Sequence, residues 1–101
     1  MSRCLRIAPT DNVAVALEPV AAGIRVAVEG ASVTTREDIP QGHKLALTAI
    51  PAGADVIKYG CSIGGATADI EAGQWVHTHN MKSNLTEHVE YAYEPDVKPL
   101  A

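Results

Sequence analysis

One short unit recurs four times along the 101-residue chain and limits what it can become: an aliphatic residue, two further residues and then a glycine. The copies are Val20-Ala21-Ala22-Gly23, Ile39-Pro40-Gln41-Gly42, Ile50-Pro51-Ala52-Gly53 and Ile70-Glu71-Ala72-Gly73. Glycine takes positive φ without steric cost, so each unit closes a turn. A candidate strand follows each glycine. Short strands punctuated by turns every 8–12 residues or so are the pattern of a compact β fold.

The segments between the turns carry the matching period of two. Val13 to Leu17 and Ile24 to Val28 place a branched aliphatic residue at every second position, and the Glu18 to Gly23 loop makes them a predicted hairpin. Ala31 to Arg36 is β-prone but half polar, and Lys44 to Ile50 alternates Leu45, Leu47 and Ala49 on one face. Val56 to Tyr59 and Trp75 to His79 complete the set of strands. Helix is confined to a turn or two over Gly64 to Asp69, where paired glycines cost about 1 kcal/mol each. The predicted fold class is therefore all-β, built from residues 1–85. From Thr86 to Ala101 the chain turns acidic and carries Pro95 and Pro99, so residues 86–101 read as a tail or linker ordered only against a partner.

Composition narrows the function. With no Phe, one Trp and three Tyr, the core must come from Val, Ile, Leu and Ala, and a chain of this length is one domain without room for a deep cavity. A net charge of −4 and no Lys/Arg cluster exclude nucleic acid and an anionic membrane as partners, since both need a basic face. Met1 to Pro9 lacks the apolar run of a signal peptide, and no later stretch nears the ~18 apolar residues of a span. The expected location is the cytoplasm. Cys4 and Cys61 are expected as free thiols, because a secreted domain of this size more often carries several paired cysteines.

Three short segments can do chemistry. In an extended strand Trp75, His77 and His79 project from one face, with the two imidazoles roughly 7 Å apart at the backbone; they can converge on a metal, or one can act as acid/base while the other orients substrate. His-x-His alone also fits surface polar residues on a half-buried strand, and no Cys-x-x-Cys or His-Glu-x-x-His pattern strengthens a metal reading. His43 and Lys44 follow a turn and open a strand. Lys58 and Tyr59 end one, where an ammonium and a phenol can hold a carboxylate or hydroxyl. His43, Lys44, Lys58, His77 and His79 are five of the twelve Lys, Arg and His residues and all border glycine turns, a concentration that suits a small anionic ligand.

At these residues the sequence resembles the SAF-domain family, in the version found in altronate and galactarate dehydratases. The resemblance runs from Asp11-Asn12-Val13 through Ile39 to Lys44, Val56 to Gly60 and Ile63-Gly64 to Gly73 through Asn80, and it extends to the small subunit of sulfolactate sulfo-lyase. It implies a β-clip fold of bent hairpins and an elimination in which a proton leaves the carbon α to a carboxylate and a β-substituent, water or sulfite, departs. It also implies a divalent metal, iron(II) or manganese, held mainly by a large catalytic subunit or domain that is this chain's partner. Carried over by position, His43, Lys58, His77 and His79 are the catalytic candidates, with His77 and His79 also the metal candidates. Lys44, Tyr59 and Asn80 are the candidates to bind the sugar acid. The chain is then a small subunit or N-terminal domain, inactive alone, of a metal-dependent sugar-acid hydro-lyase. The alternatives are a non-catalytic sugar-acid or carbohydrate-binding module and a sulfo-lyase small subunit.

Overall fold

The computed structural model describes residues 3–83; the tail read from the sequence over residues 86–101 lies outside them. Among the described residues there are nine strands and no helix, so none could cross a membrane as a helix. They are β1 (Cys4–Leu5), β2 (Val13–Ala16), β3 (Arg25–Val28), β4 (Ala31–Thr34), β5 (Lys44–Ala46), β6 (Asp55–Lys58), β7 (Cys61–Ala66), β8 (Trp75–Val76) and β9 (Met81–Ser83). A four-stranded antiparallel sheet ordered β1-β2-β5-β8 forms the middle, flanked by the β3–β4 hairpin and a three-stranded β6-β7-β9 sheet.

The middle sheet is covered on both faces. Val13, Ala46 and Val76 pack with Ile50, Val56, Ala66 and Ile70 on the β6-β7-β9 side. Ala14, Ala16 and Leu45 pack with Val20, Val26 and Ile39 on the β3–β4 side. Neighbouring residues of β2 and β5 are therefore buried alike, which is why the period-two pattern marks the strands without marking an inside and an outside. Each buried branched side chain contributes about 1.5–3 kcal/mol.

The four turn units work in two bridged pairs. Val20 bridges Ile39, and Ile50 bridges Ile70. The two halves repeat each other in the bonds of their turn glycines and aspartates. Gly23 N–H donates to Thr35 O as Gly53 N–H does to Ala66 O, and Gly42 N–H donates to Ala16 O as Gly73 N–H does to Ala46 O. Asp38 accepts from Ala22 N–H, and Asp69 accepts from Ala52 N–H in the same way. The second half is one residue longer, and that residue is Ile63: the register shifts where Val56 faces Gly64 and Ile57 faces Ser62, a bulge that bends β7.

Two expectations are corrected. β2 does not form a hairpin with β3, because the Val20 unit turns the chain out of the middle sheet; β2 pairs with β1 and β5, and β3 pairs with β4. Gly64 and Gly65 lie inside β7 rather than in a helical turn. A Cβ on Gly64 would collide with the Lys82 carbonyl, so the glycine lets β9 pair closely. β1 and β9, absent from the sequence reading, are short strands at sheet edges.

Glycine is required for two separable reasons. Gly53 has φ 87° with open space around its missing Cβ, whereas Gly73 has φ 89° and a Cβ there would strike the Thr34 carbonyl. Gly53→Ala should cost about 1–2 kcal/mol from backbone strain alone, and Gly73→Ala about 2–4 kcal/mol because the β4 end must also move. Urea midpoints of the two variants check this order; equal losses would contradict it.

Candidate functional site

The candidate residues gather where β5 begins, β8 ends and the β6–β7 turn approaches. His43 is held just before β5 by its own N–H to Pro40 O at 3.1 Å and by Ala16 N–H donating to its carbonyl at 2.9 Å. Register places Trp75 opposite Leu45 and Val76 opposite Lys44. The Trp75 indole N–H donates to His43 Nδ1 at 3.1 Å. The His43 and His77 ring centroids are 4.4 Å apart, His77 stacks on Trp75 at 5.6 Å with 9° between the planes, and His79 lies 4.9 Å from the indole. Three imidazoles thus surround one tryptophan.

The histidines converge through a turn, not along a strand as the alternation predicts. β8 stops at Val76, and residues 77–80 turn. Asn80 makes that turn: its Oδ1 accepts from His77 N–H at 3.0 Å, its Nδ2 donates to Trp75 O at 2.8 Å, and its own N–H donates to His77 O. Asn80 is buried. The residue carried over as a substrate contact spends its amide on holding the histidine turn.

The lysines complete an electrostatic chain. Burial and the nearby Lys58 charge push the half-buried Lys44 ammonium below its usual value. Burial, then His43, Lys44 and His79, push the His77 imidazole below its ordinary range, favouring the neutral ring. Among the described residues the ion pair is Arg36 with Glu71, away from this cluster. None of His43, Lys44, Lys58, His77 and His79 is in an ion pair among the described residues, and the carboxylates beside the cluster are engaged by backbone N–H groups, Glu37 by Trp75 and Asp11 by Tyr59 and Gly60; an anion bound here would oppose both shifts.

Lys58 Nζ lies 4.7 Å from the Tyr59 ring centroid, a cation–π contact. Tyr59 is 60% exposed and has φ 61°, left-handed backbone that a non-glycine residue adopts at a cost. With Gly60 at φ 73° it forms the two-residue β6–β7 turn. Asp11, only 1% exposed, holds this turn: its carboxylate accepts from Gly60 N–H at 2.8 Å, Tyr59 N–H at 3.1 Å and Ala8 N–H at 2.9 Å. Asn12 ties the same strand, accepting from Ile57 N–H and donating to Asp55 O.

Sequence reading missed Asp11 as the support of the Lys58-Tyr59 tip and Trp75 as the hub of the histidines. The alternation places Trp75 on one face with His77 and His79, but without the role of bonding His43. Cys4 and Cys61 are free thiols.

The described residues do not make a metal centre of their own. Among the described residues no group of three or more His, Cys, Asp or Glu could hold a metal ion, and His43 Nδ1 is occupied by the indole N–H.

The family model of the altronate/galactarate dehydratase SAF domain matches residues 2–84. Among curated proteins the chain is 51% identical over 96 residues to an altronate dehydratase of Escherichia coli and 39% identical over 95 residues to one of Bacillus subtilis. These matches cover 95% and 94% of the chain but 19% of each relative, so the chain spans about a fifth of their length. It is also 54% identical over 50 residues, half of this chain and 75% of the relative, to the alpha subunit of (2R)-sulfolactate sulfo-lyase from Paracoccus pantotrophus. The match covering residues 2–84, on a fold that is all strand, shows that the chain belongs to the altronate/galactarate dehydratase SAF domain family.

Proposed function

We propose that this chain contributes a cationic, imidazole-rich face to the composite active site of a sugar-acid dehydratase, the rest of which lies on a larger catalytic domain or subunit. The observation that carries this reading is the convergence of His43, Lys44, Lys58, His77 and His79, none of which is in an ion pair among the described residues. Such a face suits a carboxylate-bearing ligand, and the relatives over nearly the whole chain are altronate dehydratases.

In β-elimination from a hydroxy acid, a base removes the proton α to the carboxylate while the β-hydroxyl accepts a proton and leaves as water. Negative charge builds on the carboxylate as the C–H bond breaks, so ammonium groups beside it lower the barrier. Lys44 and Lys58 fit that role, with the Tyr59 hydroxyl as a further donor. His77, biased toward the neutral ring by burial and by its neighbours, is suited to accept a proton, and His43 and His79 to donate hydrogen bonds to substrate oxygens. An iron(II) or manganese ion, if the complete enzyme uses one, would take its ligands from the larger part, and no step here is routed through it. The cytoplasm is the compartment this reading expects.

The test is reconstitution. The isolated chain should show no elimination on altronate or galactarate, and addition of the large part should restore it; turnover by the isolated chain would overturn the proposal. The identity to a sulfo-lyase alpha subunit supports a second reading, with sulfite as the leaving group. Assaying sulfolactate in the same reconstitution separates the two.

A further inference from the structure

We infer that Trp75 is a positioning residue that fixes His43 as a hydrogen-bond donor and leaves His77 as the proton-accepting imidazole of the pair. The functional half of this inference rests on the composite-site reading above; the tautomer itself does not.

An indole N–H donates and cannot accept. Facing it at 3.1 Å, His43 Nδ1 must carry its lone pair, so the ring proton sits on Nε2. Protonating His43 would set one N–H against another and break the bond. Trp75 is rigid enough to impose this choice: its own N–H donates to the Glu37 carboxylate at 2.9 Å, its carbonyl accepts from Asn80, and its side chain packs against the β3–β4 core. His77 meets the indole differently. Its ring lies parallel to the indole, 9° between the planes and 5.6 Å between centroids, and the indole N–H goes to His43 rather than to either of its nitrogens. Two imidazoles 4.4 Å apart are thereby given unlike jobs: His43 offers Nε2–H to a ligand oxygen, and neutral His77 keeps a lone pair for a proton. The groups facing the pair are Lys44, an ammonium that only donates, and His79, whose ring lies 4.9 Å from the indole but does not receive its N–H, which goes to His43.

The first experiment is nitrogen-15 NMR of the histidine rings in the 101-residue chain. His43 should show an unprotonated Nδ1 and a protonated Nε2, and Trp75→Phe, which keeps a ring but removes the N–H, should shift it to a tautomer mixture. A protonated Nδ1 in the unaltered chain, or an unchanged pattern in a folded Trp75→Phe variant, overturns the inference. Should that variant fail to fold, the unaltered chain's own pattern decides. The second experiment uses the reconstituted enzyme. His43→Leu should lower kcat/KM about 10- to 100-fold, the worth of one hydrogen bond to a charged group, whereas His43→Gln, whose amide can accept from the indole and donate onward, should recover most of the loss. Equal losses would assign proton transfer to His43 and overturn the division of roles. No loss in either would sink the composite-site reading while the tautomer result stands.

Discussion

Asp11→Ala is expected to destabilise the chain by about 3–5 kcal/mol, since three hydrogen bonds to a charged acceptor, worth about 1.5–3 kcal/mol each, would be lost together. The carboxylate gathers N–H groups from Gly60, Tyr59 and Ala8, and no smaller side chain can replace it. Against a total stability of about 5–15 kcal/mol such a loss leaves a marginal domain. The damage should centre on the Tyr59-Gly60 turn, where the strained φ of Tyr59 persists only because Asp11 holds it. Burial pushes the Asp11 carboxyl up, but N–H groups of Gly60, Ala8, Tyr59 and Ile7 more than offset this and leave it below its ordinary 3.8. A depressed folded pKa means that the stabilisation is fully present above 3.8, and is lost as pH falls below it through the folded value. Denaturant midpoints across that range should drop in the unaltered chain and stay flatter in Asp11→Ala. A variant as stable as the unaltered chain would refute this role for Asp11.

Asp11 also shows where sequence reading stops. The four aliphatic-to-glycine units announced the turns, and the structure bridges them as Val20 with Ile39 and Ile50 with Ile70. Their pairing was not legible, because a glycine with positive φ ends a strand without saying which strand comes next; hence the wrong β2–β3 hairpin. Burial was legible along β3, where Val26 is buried and Arg25 and Ala27 are exposed. It was not along β2 or β5, whose sheet is covered on both sides. The site residues that carry a charge or a ring were found by type and by their closeness to glycines. Those that act through backbone groups distant in sequence were missed, as Asp11 was: it reaches Tyr59 and Gly60 across most of the domain. His77 and His79 were chosen for a strand alternation that ends at Val76; the turn built by Asn80 brings them together instead.

The second large effect is expected at those two histidines. In the reconstituted enzyme, joint replacement His77→Ala with His79→Ala removes the neutral imidazole suited to proton transfer and the ring beside it, both packed on Trp75. Loss of a positioned general acid or base lowers the rate about 100- to 10,000-fold. The fold should survive, because His79 is exposed, His77 only half-buried, and the backbone of the turn is held by Asn80.

Saturation kinetics of that double variant on altronate is the most direct measurement. If this face takes part in the chemistry, kcat falls by the factor given above while the assembled complex stays intact. If kcat at saturation is unchanged and only KM rises, the face merely holds the ligand, and the chain is a binding module.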